Sequence, residues 1–402
     1  MEDLKAKYDE YKAMNLSLNM TRGKPCKEQL VLSNKMLDCL NSKSDFLSAE
    51  GYDVRNYGCL DGIKECKKLL ADMVDAQPEN VFIFGNSSLN VMYDCIAKSV
   101  THGVLNHKPW SKQGKIKWIC PVPGYDRHFA ILEHFGIEMI NVPLKEDGPD
   151  MDMVEKLVKD KHVKGIWCVP VYSNPSGISY SDEVVRRLAN LKPKAPDFRI
   201  YWDNAYVVHH LYDDKQGKVL NILDECRKAN NPDLVYEFVS TSKVTFPGGG
   251  VAALVTSINN LDSIKGLVKY QTIGPDKLNQ LRHVMFFKDI NGLKEQMKKH
   301  AEILRPKFEY INKRFLEELE GIAKWTNPLG GYFVTVEVSG RAKQVVEKAK
   351  ELGLSLVEVG SAFPYHKDPN NSIIRLAPTC MDQKELELAT EIFILSVKLC
   401  SK

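Results

Sequence analysis

Near the middle of the chain is the segment Leu234-Val-Tyr-Glu-Phe-Val-Ser-Thr-Ser-Lys243. Its apolar first part predicts a buried strand, and its serine-containing second part predicts a turn that ends in a lysine. Most lysines lie in water, and a solvated loop is the simplest explanation for this one taken alone. Burial, however, disfavours the ammonium form and frees the amine lone pair, which makes Lys243 a candidate imine-forming residue.

Two further predicted strands upstream also end in polar residues. The run Phe198-Arg-Ile-Tyr-Trp202 leads into Asp203, and the run Gly165-Ile-Trp-Cys-Val-Pro-Val-Tyr172 leads into Asn174. Singly, an aspartate after a strand is more often a turn or helix-capping residue. Because the carboxyl ends of parallel strands meet at one edge of a sheet, we expect Asn174, Asp203 and Lys243 to lie together.

These residue types suit pyridoxal phosphate (PLP), an electron-sink cofactor that proteins hold through a lysine imine and an acidic partner of the pyridine nitrogen. Asp203 is the predicted partner of that nitrogen. Lys243 is predicted to carry the imine and, once substrate releases it, to move a proton. Asn174 and Tyr206 are predicted to donate hydrogen bonds to the 3-oxygen of the ring. The order of these residues, rather than any one of them, indicates the site.

A candidate phosphate site precedes these strands. Residues 81–84 form a predicted strand that runs into Asn86, Ser87 and Ser88, and residues 89–100 form a predicted helix. The free N–H groups and the dipole at a helix start attract anions. We predict that this turn binds the PLP phosphate, although a simple helix cap would explain the same residues.

A longer ordered set of runs extends from about Thr21 to the end of the chain. In sequence order these runs are Arg22-Gly-Lys-Pro25, Arg55-Asn-Tyr-Gly-Cys-Leu-Asp-Gly62, Gly85-Asn-Ser-Ser-Leu89, Pro121-Val-Pro-Gly-Tyr-Asp126, Val171-Tyr-Ser-Asn-Pro-Ser-Gly177, Trp202-Asp-Asn-Ala-Tyr206, Ser240-Thr-Ser-Lys243, Ile273-Gly-Pro-Asp-Lys-Leu-Asn-Gln-Leu-Arg-His283 and Ile374-Arg-Leu-Ala-Pro378. Together they resemble the fold-type I PLP aminotransferases, and most of all subgroup Ic of the aspartate aminotransferases.

The resemblance implies further site residues. Tyr125 is expected to stack on the PLP ring, although a core tyrosine would fit its local sequence equally well. Ser240 and Ser242 are expected to donate hydroxyl hydrogen bonds to the phosphate. The residues expected around the substrate are Gly23, Asn174, Arg375 and Arg282.

Among these, each arginine has a separate expected task. Arg375 is expected to bind the substrate α-carboxylate bidentately, a geometry that a guanidinium provides and an ammonium does not. Arg282 is predicted to face the distal carboxylate of an acidic substrate. A surface or interdomain ion pair is the alternative for Arg282.

The sequence departs from the family pattern at the phosphate. Many members carry an arginine eight residues after the imine lysine, and this chain has Val251 there. The residues that neutralise the phosphate charge are therefore not identified by the sequence. The resemblance also implies that Tyr57 reaches the cofactor phosphate of a neighbouring subunit, and hence a homodimer.

The predicted architecture is α/β, with the organisation of a fold-type I PLP transferase. A large PLP-binding domain with a mostly parallel sheet is predicted for residues 46–291, and a smaller α+β domain for residues 1–45 and 292–402. In the smaller domain, residues 293–319 predict a long helix with a bend or break at Arg305-Pro306. Residues 330–338 alternate like a half-exposed antiparallel strand.

Composition excludes several classes of protein. The 402 residues carry a net charge of only +3 with both signs mixed, which does not favour nucleic acid or an anionic membrane surface as a partner. The N-terminus is charged, unlike a signal peptide, and no apolar run approaches the ~20 residues of a membrane span. Ten cysteines and ten histidines form no metal motif, so we expect no metal, reduced thiols and a cytoplasmic protein.

The predicted function is PLP-dependent transamination of an amino acid with a 2-oxo acid, with aspartate and 2-oxoglutarate as the substrates, giving oxaloacetate and glutamate. Transamination of an aromatic amino acid or alanine, and a PLP-dependent lyase or decarboxylase, remain alternatives because they use the same ring site. A PLP-sensing domain of a transcription regulator is disfavoured, since only about twenty residues precede Arg22-Gly-Lys-Pro25, too few for a DNA-binding domain.

Overall fold

The computed structural model describes residues 2–401. Its α-helices are α1 (Glu2–Ala13), α2 (Lys27–Leu32), α3 (Lys64–Asp72), α4 (Ser88–His102), α5 (Asp126–His134), α6 (Met151–Leu157), α7 (Asp182–Ala189), α8 (Ile222–Lys228), α9 (Ile258–Val268), α10 (Lys277–Phe287), α11 (Ile290–Leu319), α12 (Ala342–Glu351) and α13 (Gln383–Cys400). Its strands are β1 (Leu18–Asn19), β2 (Val81–Ile83), β3 (Lys117–Val122), β4 (Glu138–Lys145), β5 (Gly148–Pro149), β6 (Val163–Cys168), β7 (Arg199–Asp203), β8 (Val235–Ser240), β9 (Ala252–Thr256), β10 (Lys324–Trp325), β11 (Val334–Glu337), β12 (Leu354–Ser355) and β13 (Ile373–Leu376).

Eight strands form one large sheet in the order β2-β9-β8-β7-β6-β3-β4-β5. The pairs β4–β3, β3–β6, β6–β7 and β7–β8 are parallel. Strand β9 runs antiparallel to both β8 and β2, so β2 points the same way as the parallel strands, and β5 is antiparallel to β4. The predicted mostly parallel sheet is therefore confirmed, and the six strands other than β5 and β9 end at one common edge.

Both faces of this sheet are covered. Strands β6, β7 and β8 are buried at every residue, which explains their nearly continuous apolar sequences. One face packs in a cluster that contains Ile166, Ile200 and Val235. The other packs in a cluster that contains Trp118 and Phe238. Covered on both faces, the sheet holds its carboxyl edge in place, and the predicted site residues follow that edge.

Two smaller sheets lie elsewhere in the chain: β1 pairs in parallel with β12, and β10, β11 and β13 form an antiparallel sheet. Leu18 and Met20 join a third hydrophobic cluster whose members come mostly from residues 304–397. Helix α11 contributes Leu293 and Met297 to a cluster of the large sheet and Leu304 to the third cluster. The predicted domain limits remain a prediction.

The expected break at Arg305-Pro306 is absent, because α11 continues through Pro306 as one helix of 30 residues, and the expected bend stays a prediction. Contacts on both sides of the proline hold it. The Arg305 Nε donates to the Leu211 carbonyl at 2.7 Å, and the Lys307 Nζ donates to the Thr379 carbonyl at 3.1 Å. Tertiary contacts thus outweigh the local helix-breaking tendency of proline.

The expectation that residues 330–338 form a half-exposed strand is also wrong. The antiparallel pairing is present, but both faces are buried, with Val334 and Val336 on one face and Phe333 and Thr335 on the other. The Thr335 hydroxyl donates to the Pro175 carbonyl at 2.8 Å. The loop after β6 therefore covers the face that the alternation had suggested was exposed to solvent.

Three structural features of residues 2–401 bear on the composition. All ten cysteines are unpaired thiols, and Cys120 and Cys168 are buried in strands as expected. No group of three or more His, Cys, Asp or Glu side chains in this range is arranged to hold a metal ion. None of the helices in the range combines the length and apolar character that crossing a membrane requires.

Candidate active site

A cavity of about 670 Å³ opens at the carboxyl edge of the large sheet. Eleven of the predicted residues line it: Gly23, Ser87, Ser88, Tyr125, Asn174, Asp203, Tyr206, Ser240, Ser242, Lys243 and Arg375. Strands β2, β3, β6, β7 and β8 deliver most of them, since each ends at this edge. The convergence expected from the strand ends is therefore present, while the chemical role of each residue remains a prediction.

Helix α10 contacts the turn that carries Lys243 through the side chain of His283. The imidazole Nδ1 of His283 lies 2.8 Å from the Asn279 carbonyl, which can only accept, so Nδ1 carries the proton. The Nε2 atom then accepts from the hydroxyls of Thr241 and Thr245, each at 3.0 Å. Because burial lowers the pKa of His283 to about 4, the ring is neutral near pH 7 and can keep this arrangement.

The Lys243 amine lies 4.8 Å from the centre of the Tyr206 ring. Lys243 is half-buried because it lines the cavity, but the surrounding protein still removes water from its amine. Burial lowers the pKa of Lys243 below its ordinary value, and the nearby carboxylate of Asp203 only partly opposes this effect. The amine is thus closer to its neutral, nucleophilic form than that of an exposed lysine.

The Asp203 carboxylate is positioned by a histidine that the sequence analysis did not identify. The Nε2 atom of His128 lies 3.0 Å from Asp203 Oδ2. The His128 ring stacks on Trp167, with ring centres 4.2 Å apart and an angle of 9° between the planes. The signal available in the sequence was the position of His128, one helical turn after Tyr125 on α5, where a side chain can return to the same site.

Two buried acceptor atoms in the cavity have no partner among the described residues: Asp203 Oδ1 and Asn174 Oδ1. Buried polar atoms are nearly always hydrogen-bonded, so unpaired ones in a cavity indicate a bound polar group. A protonated pyridine nitrogen would satisfy the Asp203 atom. The residues present therefore fit PLP at its ring end.

The other end of the cavity suits a phosphate. The helix α4 starts there, and its cap Ser87 accepts from the Asn90 N–H at 3.4 Å. Asn86 does not line the cavity, but its carbonyl accepts from the Ser242 hydroxyl at 3.1 Å and fixes the serine-rich turn. Val251 is buried with its N–H donated to the Thr241 hydroxyl, so that position supplies no cation.

The substrate side of the cavity contains Arg375, which is 8% exposed. Its Nη atoms donate to Asp126 Oδ1 at 3.2 Å and to the Thr21 carbonyl at 3.3 Å, while its Nε atom has no partner among residues 2–401. Gly23 lies against Phe333, where a Cβ would come within 2.5 Å of the ring. A larger residue at Gly23 would therefore displace the ring on which the Arg375 guanidinium rests, at 5.1 Å.

Three cations that the sequence analysis did not assign also line the cavity: Arg22, Lys24 and Arg127.

Arg282 does not line the cavity of its own chain. It lies on α10, where its charge acts on the thiol of Cys39. Tyr57 also lies outside this cavity, with 81% of its surface exposed, which leaves its predicted contact with a neighbouring subunit untested.

Comparisons with known proteins agree with this geometry. The family model described as aspartate amino-transferase matches residues 1–402. An aspartate aminotransferase of Corynebacterium glutamicum is 47% identical over 396 residues, which cover 97% of this chain and 91% of that protein. The crystal structure of an aspartate transaminase from Corynebacterium glutamicum superposes with a TM-score of 0.96 at 46% identity, covering 100% of this chain and 95% of that one.

A more distant structure shares the fold alone. The α-aminoadipate aminotransferase LysN of Thermus thermophilus, complexed with N-(5'-phosphopyridoxyl)-L-leucine, superposes with a TM-score of 0.76 at 20% identity. The aligned region covers 96% of this chain and 92% of that one. The α/β architecture with a large mixed sheet is thus shared well beyond the range of clear sequence identity.

Proposed function

This chain belongs to the aspartate amino-transferase family, whose members are PLP-dependent aminotransferases of fold type I, and we propose that it transfers the amino group of aspartate to 2-oxoglutarate. The products would be oxaloacetate and glutamate. The observation that carries the proposal is the cavity itself, in which a desolvated lysine, an unpaired buried carboxylate oxygen and a set of arginines lie together.

PLP, when bound, supplies the electron sink that stabilises the negative charge left at Cα. In the proposal Asp203 accepts a hydrogen bond from the pyridine nitrogen with Oδ1, because His128 already occupies Oδ2. Lys243 is the residue that would hold the cofactor covalently, and its free amine would carry the proton that leaves Cα. Asn174 and Tyr206 donate to the ring 3-oxygen, and Tyr125 covers the ring face.

The phosphate in this proposal is held by Ser87, Ser88 and Ser240 together with the start of α4, while Ser242, whose single hydroxyl proton is donated to the Asn86 carbonyl, fixes the turn beside them. Fifteen residues of helix direct their dipole at this point. The Lys243 turn and the α4 turn are joined by the hydrogen bond between Ser242 and Asn86, so the two halves of the phosphate site would move together.

Substrate recognition in the proposal depends on two cationic positions. Arg375 binds the α-carboxylate through its free Nε and an Nη atom, beside Gly23 and Asn174. A second cation must face the distal carboxylate, since burying that group unpaired would cost several kcal/mol. Our proposal keeps Arg282 in this role, which requires it to enter the cavity of a neighbouring subunit.

The surface of α10 supports this placement. Arg282 lies between Leu278 and Met285 at helical spacing, and these two apolar side chains are 37% and 39% exposed. Tyr57 and Ile273 are more exposed, at 81% and 60%, on neighbouring loops. We propose that a second copy of the chain covers this surface and that Tyr57 reaches the phosphate of the neighbouring subunit.

The substrate proposal is tested with a panel of amino donors against 2-oxoglutarate, with the oxo-acid products identified. We expect aspartate to give oxaloacetate with a kcat/KM at least about tenfold above those of alanine and phenylalanine, the scale of one lost charge contact. Preference for alanine or phenylalanine would instead support one of the other aminotransferase activities. Release of carbon dioxide or ammonia without glutamate would identify a lyase or decarboxylase.

The second cation is tested with a matched pair of variants. Arg282→Ala should lower kcat/KM for aspartate by more than about tenfold, on the order of 2 kcal/mol, and change alanine turnover little, because alanine has no distal carboxylate. Arg127→Ala removes a cation that lines the cavity of its own chain. A selective loss of aspartate turnover in Arg127→Ala but not in Arg282→Ala would transfer the role to Arg127.

A further inference from the structure

A second cavity, of about 530 Å³, lies on the opposite side of strands β7 and β8 from the first. In the register of these strands Trp202 is opposite Glu237, and Asp203 is opposite Phe238. Side chains alternate between the faces of a sheet, so Asp203 faces the first cavity while Trp202 and Glu237 line the second. Asn204, the residue after Asp203, also lines the second cavity.

Two polar side chains lie at the inner end of this second cavity. Glu237 is 2% exposed and Asn204 is 8% exposed. The Asn204 Nδ2 atom donates to Glu237 Oε1 at 2.8 Å, whereas the Asn204 Oδ1 atom has no partner among residues 2–401. Neither residue has a task in the proposed transamination. The Asn204 Oδ1 atom therefore lacks a donor among the described residues, and Glu237 can accept from a further donor when it is ionised.

The remaining lining is mixed, and its apolar part includes Val171, Val207, Leu220, Ile290 and Met297. Charged and titratable groups from three segments lie nearer the rim: Asp72 and Asp75 at and just after the end of α3, His210, Asp213 and Lys218 from the loop before α8, and Lys294 and Lys298 from α11. The rim thus carries both signs of charge. Burial lowers the pKa of His210 to about 4, so this histidine is neutral near pH 7.

We propose that this second cavity binds a small organic cation with an apolar body, whose amidinium or ammonium head donates to Glu237 and to Asn204 Oδ1. Apolar walls with a few convergent polar groups are the usual composition of a small-molecule site. The cationic head would give the ionised form of Glu237 a counter-charge, in addition to its hydrogen bond from Asn204. The first cavity is lined by arginines and lysines and would repel the same ligand.

The protonation of Glu237 gives the proposal a characteristic pH dependence. Burial raises the pKa of Glu237 to about 8, with Asp75 adding to the effect and Asn204 opposing it. A group with this pKa is about one-tenth ionised at pH 7 and about nine-tenths ionised at pH 9. A ligand that remains cationic across this range should therefore bind about tenfold more tightly at pH 9 than at pH 7, with release of a proton on binding at pH 7.

The probe is benzamidine, titrated calorimetrically into the PLP-loaded protein, with benzamide as the neutral control of nearly the same shape. We expect benzamidine to bind at least tenfold more tightly than benzamide, and its affinity to rise about tenfold from pH 7 to pH 9. Equal affinities for the two compounds, or a flat pH profile, would overturn the proposal. These measurements use the unaltered protein and require no transamination, so they stand apart from the proposed function.

A matched pair of variants locates the site. Glu237→Gln keeps the size of the side chain and an acceptor for Asn204, and it should weaken benzamidine binding at least tenfold and remove its pH dependence. Asp75→Asn removes a rim charge and should change the affinity less than threefold. Unchanged binding in Glu237→Gln, or a larger loss in Asp75→Asn, would show that the cation binds elsewhere and would end the proposal.

Discussion

The two edges of the large sheet each contain a lysine and a buried aspartate, but the two sets have different partners: Lys164 is buried and paired, whereas Lys243 is half-buried and lines the cavity. At the edge where β6 and β7 begin, the Lys164 Nζ atom lies 2.7 Å from Asp197 Oδ1 and 2.7 Å from Gln113 Oε1. Asp197 Oδ2 also accepts from the Trp110 indole at 3.0 Å and from Gln113 at 2.8 Å. Burial acts to raise the pKa of Asp197, but the hydrogen bonds from Lys164 and Gln113 outweigh it and the pKa is lowered.

At the edge where the strands end, Lys243 and Asp203 both face the cavity. Asp203 has one partner, His128, and one unpaired oxygen. Burial lowers the pKa of the Lys243 amine, and no paired carboxylate restores it. The comparison teaches that burial alone does not make a lysine reactive. A fully paired lysine is structural, and a lysine buried without such pairing is available for chemistry.

The largest expected effect tests this difference directly. Lys243→Ala should lower transamination more than about a thousandfold, since it removes both the covalent attachment and the proton carrier. Borohydride reduction of the PLP-loaded wild type, followed by mass spectrometry, should find the cofactor on Lys243. Labelling of Lys164 or of any other lysine would contradict the assignment of Lys243 as the reactive lysine.

The second effect concerns stability. Lys164→Met leaves Asp197 buried without its cation and should cost about 3–5 kcal/mol of unfolding free energy, whereas Lys243→Met should be neutral or stabilising. Chemical denaturation of both cofactor-free variants measures this difference. A Lys243→Met variant that lost as much stability as Lys164→Met would show that the two lysines are equally structural.

The two aspartates allow a third test. Asp203→Ala should lower turnover at least about a hundredfold, because the ring nitrogen loses the group that keeps it protonated. His128→Phe keeps the stack on Trp167 but removes the hydrogen bond to Asp203, and a loss of about tenfold is expected, the scale of one hydrogen bond to a charged group. Near-normal turnover of Asp203→Ala would make Asp203 structural, as Asp197 is.

The smallest effect is a pH dependence of stability. The folded-state pKa of Lys243 is lowered below its ordinary value of 10.5, so the unfolded chain binds more protons between the two values. The cost of desolvating the ammonium is fully present below the folded pKa and is lost as pH rises towards 10.5. The unfolding free energy of the cofactor-free wild type, relative to Lys243→Met, should therefore rise with pH in that window. A constant difference across alkaline pH would contradict the lowered pKa.

Much of this arrangement was predictable because it depends on strand ends. A buried strand delivers its last residues to a definite edge of the sheet, and so Asn174, Asp203 and Lys243 could be placed together from sequence order alone. The mostly parallel sheet followed from the alternation of strands and helices. These inferences required neither side-chain directions nor contacts between distant segments.

The features that the sequence did not predict depend on the directions of side chains and on contacts between distant segments. His283 points at the Lys243 turn while its neighbour Arg282 does not, because consecutive residues on a helix point about 100° apart. His128 was missed for the same reason, and the continuity of α11 through Pro306 depends on partners far away in the sequence. A linear pattern contains no signal for contacts of this kind.

Helix α11 has a mechanical consequence. At 1.5 Å per residue its 30 residues form a rod about 45 Å long, anchored near its start in the cluster under the large sheet and along its second half in the third cluster. A rod of about that length amplifies motion, since a tilt of about 5° at one end displaces the other by roughly 4 Å. Lys294 and Met297, which border the second cavity, lie near the start of this helix. A small change in the tilt of α11 beside the second cavity would therefore displace the opposite end of the helix by more than the length of a bond.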